Sequence, residues 1–197
     1  MFAMNRCKAM LGGLLLACAF GQTAVAAEVA GIKFADTATV AGRELKLNGA
    51  GLRTKLFFKV YAAGLYLPEK KSAVPDVLSQ EGPRRVTLVM MRDLTSEEFG
   101  KAFMDGLNSN VDDAEKNRYL QQISKFGAMF GTLSGLKKGD VLHLDFLPGS
   151  GTQTELNGKK IGDVVPDVGF YNAILRIWLG EHPVDSSLKP ALLGQSK

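Results

Sequence analysis

Between Leu47 and Pro68 the chain passes through Gly49-Ala-Gly51 and a single arginine, Arg53, in a run otherwise fit for burial. A desolvated guanidinium is costly unless an anion pairs with it. The segment therefore suggests a buried cation facing a carboxylate, phenolate or enolate. Arginine suits that role because its planar fork holds a carboxylate by two hydrogen bonds. The rival reading is an ordinary surface arginine at a strand end.

Leu56–Leu67 alternates with period two, its even positions from Leu56 to Tyr66 being apolar or amphipathic. That predicts a strand with one face better buried than the other, ended by Pro68. Tyr61 and Tyr66 lie on opposite parities of it, and a buried phenol hydroxyl seeks a partner. Arg53, Tyr61 and Tyr66 are thus the candidate ligand-binding residues. Tyr61 shares the parity of Arg53, but eight residues of straight strand would separate them by about 26 Å. Cooperation between the two requires a bend, bulge or hairpin. Gly49, Gly51 and Gly64 would let a ligand, strand or helix approach the backbone.

The remaining elements follow from pattern. Val29–Phe34, Glu44–Leu47 and Arg85–Met91 read as strands, with a turn at Ala41-Gly42. Thr95 and Glu98 form a capping box before an amphipathic helix carrying Phe99, Phe103 and Leu107. Asp112-Asp113 opens a second helix with the stripe Tyr119, Leu120, Ile123, Phe126, Gly127 and Phe130. Asp140–Phe146 alternates again, and Asn157-Gly158 joins Thr152–Leu156 to Lys159–Ile161 as a hairpin. Helices over Asp167–Leu179 and Ser186–Leu193 close the chain. The order implies an α+β fold with a largely antiparallel sheet and helices gathered on one face.

The N-terminus has the pattern of a secretory signal peptide over residues 1–27: Arg6 and Lys8, then apolar Ala9–Phe20, then small-residue cleavage sites after Ala26 and Ala27. Leu15-Leu-Ala-Cys18 is the alternative, a lipoprotein box that would anchor Cys18. Both cysteines, Cys7 and Cys18, fall in this segment, so residues 28–197 form one domain without disulfides. The pattern points to the periplasm of a Gram-negative cell. Without Arg6 and Lys8 the chain carries 22 basic and 20 acidic residues, a net charge of +2. Charges of both signs are interspersed, which gives no footprint for nucleic acid. No later segment is apolar for long enough to span a membrane.

The two histidines, His143 and His182, are far apart and lack metal-ligand spacing, and no cofactor motif is present. No G-x-S-x-G elbow marks a serine nucleophile, and Gly149-Ser-Gly151 reads as a plain turn.

Gly49-Ala-Gly-Leu-Arg53, Phe58-Lys-Val-Tyr61-Ala-Ala-Gly64-Leu-Tyr66-Leu and the tail Leu179-Gly-Glu-His-Pro-Val-Asp-Ser-Ser-Leu188 resemble the chalcone isomerase-like superfamily, most nearly its exported bacterial branch. The resemblance implies an open-faced β-sandwich, a large antiparallel sheet covered by helices on one side. It implies that Arg53 matches the arginine used by both the isomerases and the fatty-acid binders. Tyr61 stands where the binders carry a tyrosine and the isomerases a threonine. The isomerases' helical tyrosine and asparagine fall at Phe99 and Gly106, so both groups are missing. A phenylalanine cannot hydrogen-bond a ketone, and fold likeness alone is weak evidence of function.

The leading expectation is therefore a non-catalytic periplasmic binder of a fatty acid or similar apolar carboxylate, held by Arg53 and Tyr61. A second reading is an intramolecular lyase or isomerase on a phenolic or enone substrate, with Tyr61, Tyr66 or Tyr171 as the proton-transfer group. A third is an envelope interaction module with a collapsed cavity.

Overall fold

A computed structural model of the protein describes residues 25–195. Seven strands form one antiparallel sheet in chain order: β3 Thr37–Val40, β4 Arg43–Lys55, β5 Phe58–Leu67, β6 Arg84–Met90, β7 Val141–Leu147, β8 Gly151–Leu156 and β9 Lys159–Val165. A separate hairpin, β1 Val25–Val29 with β2 Ile32–Ala35, precedes them. The helices are α1 Val74–Ser79, α2 Ser96–Asn108, α3 Asp113–Arg118, α4 Leu120–Gly131, α5 Val168–Leu179 and α6 Leu188–Leu192. The fold is the α+β arrangement of a large antiparallel sheet with helices packed on one side.

The sheet has two apolar faces. On one, Tyr61, Ala63, Leu65 and Leu67 of β5 join Leu88, Leu142 and Leu144 beneath α2, α4 and α5. On the other, Ala62 and Tyr66 pack with Leu45, Leu47 and Phe34 of the β1–β2 hairpin. Strand β5 is therefore buried on both faces from Val60 to Leu67, more evenly than its alternation implied. Phe34 explains the small residues: a Cβ on Gly64 would lie 2.7 Å from its ring. Gly51 serves α6 in the same way, since a Cβ there would come within 2.7 Å of Ala191. Both glycines admit neighbouring protein.

Several boundaries differ from the sequence reading, each for a local reason. Val29–Phe34 is two strands, reversed at Ala30-Gly31 where both residues have positive φ. Leu56–Leu67 begins with a turn at Leu56-Phe57, so the long strand is β5 plus the tip of the β4–β5 hairpin. The helix after Asp112 breaks at Tyr119, and Leu120, placed on the apolar stripe, is 65 % exposed. The capping box of Thr95 and Glu98 and the Asn157-Gly158 hairpin form as read.

The signal-peptide reading falls on residues 1–27, of which 1–24 lie outside the described residues. Ala27 belongs to β1, paired with Phe34.

Candidate functional site

The β4–β5 hairpin supplies the bend that Arg53 and Tyr61 require. They are direct cross-strand partners, at a register shift between Arg53 and Thr54. The Arg53 guanidinium carbon lies 5.3 Å from the centre of the Tyr61 ring, within cation–π distance. Asp185 fixes this end of β4 by accepting from the Thr54 N–H at 3.0 Å. Burial works to raise the Asp185 pKa. The hydroxyl and N–H of Ser187 and the N–H groups of Thr54 and Leu188 outweigh it and hold the carboxyl below its usual range.

Above Arg53 and Tyr61 a cavity of about 200 Å³ opens between sheet and helices. Its walls are Val60 and Leu88 from the sheet, Phe99, Ala102 and Phe103 from α2, and Ile177 and Trp178 from α5. Behind them stands an aromatic stack. Phe99 meets Phe130 at 4.9 Å between ring centres, and Phe103 meets Phe126 at 4.8 Å. The apolar walls lower the local dielectric, which strengthens a charge interaction made against them.

Polar groups converge at one end. The Trp178 indole N–H donates to the Tyr61 hydroxyl at 2.8 Å, so the hydroxyl proton remains free to donate to a ligand. Tyr61 is only 2 % exposed. Burial pushes its pKa up, against the opposing pull of the Arg53 charge and the Trp178 hydrogen bond. At neutral pH Tyr61 is therefore a donor and not a base. The buried Arg53 Nε has no hydrogen-bond partner among the described residues.

The acids at the rim each pair with a lining cation: Glu98 lies 3.8 Å from Arg92, and Asp105 pairs with Lys101 at 2.9 Å. The lining holds four cations, Arg53, Lys55, Arg92 and Lys101, against these two acids. Its field favours an anion. Among the described residues no three His, Cys, Asp or Glu side chains are grouped as metal ligands.

The structure brings Arg53 and Tyr61 together and sets Tyr66 apart. Tyr66 lies on the opposite face of the sheet, where its hydroxyl donates to the Ala35 carbonyl at 3.2 Å. Tyr171 is also outside the cavity, fully buried and donating to the Leu144 carbonyl at 3.1 Å. Phe99 forms part of the wall. Gly106 is closed over, since a Cβ there would lie 2.9 Å from both Ile177 and Val184. Trp178 is the site residue that sequence reasoning missed. Only the fold shows that its N–H meets Tyr61, 117 residues away.

Tyr61→Phe removes the acceptor of that bond. The stranded indole N–H is expected to cost about 1–3 kcal/mol of stability, measured by denaturant unfolding.

A family model described as chalcone isomerase-like matches residues 26–194. No curated protein sequence matches the chain. Among solved structures, a fatty-acid binding protein from Arabidopsis thaliana superposes with a TM-score of 0.63 at 18 % identity, over 83 % of this chain and 92 % of that one. At that identity the likeness is one of fold.

Proposed function

The chain belongs to the chalcone isomerase-like family, and from that premise we propose that it is an exported, non-catalytic binding protein for an apolar carboxylate such as a fatty acid. The observation that carries this reading is the Arg53 guanidinium, its buried Nε unpartnered, beside the Tyr61 hydroxyl at the polar end of an apolar cavity. Arg53 takes the carboxylate by charge-assisted hydrogen bonds, and Tyr61 adds one from its hydroxyl. The Arabidopsis protein of the same fold is named for fatty-acid binding, which agrees with this class of ligand.

Size limits the ligand. The cavity, at about 200 Å³, lies below the roughly 300–1,000 Å³ usual for ligand pockets. It accommodates the head group and the first part of a tail. A long acyl chain displaces the side chains of Phe99 and Phe103 or leaves through the open side of the cavity. An isomerase is disfavoured because Phe99 offers no hydrogen bond and the position of Gly106 is filled by Ile177 and Val184. Export to the periplasm follows from the N-terminal pattern of basic, apolar and small residues.

Native extraction followed by mass spectrometry tests the proposal. Wild-type protein is expected to release an apolar carboxylate and Arg53→Ala to release none. If both emerge empty and neither takes up added fatty acid, the reading fails.

A further inference from the structure

Among the described residues four hairpins have two-residue loops, each with its first loop residue at positive φ; Ala30-Gly31, Ala41-Gly42 and Asn157-Gly158 follow it with glycine, and Leu56-Phe57 does not. Asn157-Gly158 turns with positive φ at both residues, as the sharp loop demands, and with the residues that tolerate it. Leu56-Phe57 turns between the paired Lys55 and Phe58, and Leu56 is held at φ 56 despite its bulky side chain. Such strain at an exposed site is maintained against easier alternatives, and it points to a use.

The side chains at this tip face water. Leu56 is 83 % exposed, Phe57 97 % and Phe58 59 %. Five large apolar residues stand exposed among the described residues, and three of them are consecutive here. Leu120 and Val168 are isolated, which is ordinary for a surface. A projecting cluster is not, and clusters of this kind mark interaction sites.

We propose that the Leu56–Phe58 tip inserts into the interface of an anionic lipid bilayer and docks the protein there. Charge selects this occupant over an apolar protein surface. Exposed Lys55 and Lys59 flank the tip on the two strands, and Arg92 lies over the Phe58 ring at 5.6 Å. No acidic residue occurs between Arg53 and Tyr66. An apolar wedge collared by cations matches acyl chains beneath anionic head groups. The tip also adjoins the cavity, because Lys55 and Arg92 line it. Docking would turn the mouth of the cavity toward the membrane. The inference stands on the tip alone and holds whatever the cavity binds.

The test uses the chain as cells export it, with vesicles of phosphatidylcholine alone or mixed with phosphatidylglycerol. In Phe57→Trp, emission is expected to shift to the blue on adding anionic vesicles and to be quenched by brominated acyl chains. This probe reads the tip itself, so attachment through the N-terminal segment does not imitate the signal. Partitioning is expected to be about 30-fold weaker on neutral vesicles, two lysines contributing about fivefold each, and to weaken with salt. Leu56→Gly with Phe57→Asn installs residues suited to a turn with positive φ at its first position only, so it folds at least as well, and its partitioning should fall about tenfold or more. An indole that vesicles neither shift nor quench, even if an added protein does, overturns the proposal. So does a doubly substituted protein that partitions like wild type. Loss of ligand uptake with docking intact would count against the cavity's function alone.

Discussion

Arg53→Gln is expected to weaken binding of an apolar carboxylate by about 100-fold, because one charge-assisted hydrogen bond contributes about 1.5–3 kcal/mol and a bidentate pair exceeds a single bond. Glutamine keeps much of the length of the side chain and can donate one hydrogen bond, but it carries no charge. Stability should fall by no more than about 0.5–2 kcal/mol, the loss of the cation–π contact with Tyr61, since the buried Arg53 Nε makes no hydrogen bond that the substitution would break. Arg53→Lys should fall between the two: it keeps the charge and loses the fork. Displacement of a fluorescent fatty acid gives the affinities, and thermal unfolding checks the fold. An affinity unchanged in Arg53→Gln would place the head group elsewhere.

Phe126→Ala is expected to lower stability by about 3–5 kcal/mol, the range for emptying a large aromatic site in a core. Phe126 is 0 % exposed and joins three other rings: Phe103 at 4.8 Å, Phe130 at 5.1 Å and Phe170 at 5.8 Å. In a domain of this size each kcal/mol moves the melting temperature by about 2–4 °C, so a loss of about 10 °C or more should be seen. Leu120 provides the contrast. The two residues share the stripe read from sequence, yet Leu120 is 65 % exposed. Its replacement by alanine should change stability by less than about 0.5 kcal/mol. Equal effects at the two positions would contradict the placement of α4.

That contrast shows where periodicity stops being informative. The stripe assumed one continuous helix after Asp112, whereas the chain breaks at Tyr119, and within α4 Leu120 lies off the face that buries Phe126 and Phe130. Elements whose cues are short-range were legible: the capping box at Thr95, the Asn157-Gly158 turn and the alternation of Leu142, Leu144 and Phe146. Leu56-Phe57 was not legible as a turn because neither residue carries turn chemistry. Missing that turn lengthened β5 and hid the hairpin, even though the distance between Arg53 and Tyr61 demanded one.

For the site itself, parity separated Tyr61 from Tyr66 before any coordinates, and the two do lie on opposite faces of the sheet. Which face held the cavity could not be read, because Phe34 covers the Tyr66 side from a hairpin far away in the chain. The same limit applies to Trp178 and to Gly51. Their partners, Tyr61 and Ala191, are set by tertiary packing and leave no local trace.

The carboxyl resonance of an isotope-labelled fatty acid, followed by NMR through an acid titration of its complex, reads the surroundings of the head group. A carboxylate beside Arg53 is favoured in its charged form, so its pKa should lie below that of the same acid in water. Binding would then persist on acidification until pH falls through that lowered value. In Arg53→Gln whatever ligand still binds should titrate near the free acid. A wild-type resonance that titrates like the free acid, or one that Arg53→Gln leaves unchanged, would contradict the assignment of Arg53 as the head-group site.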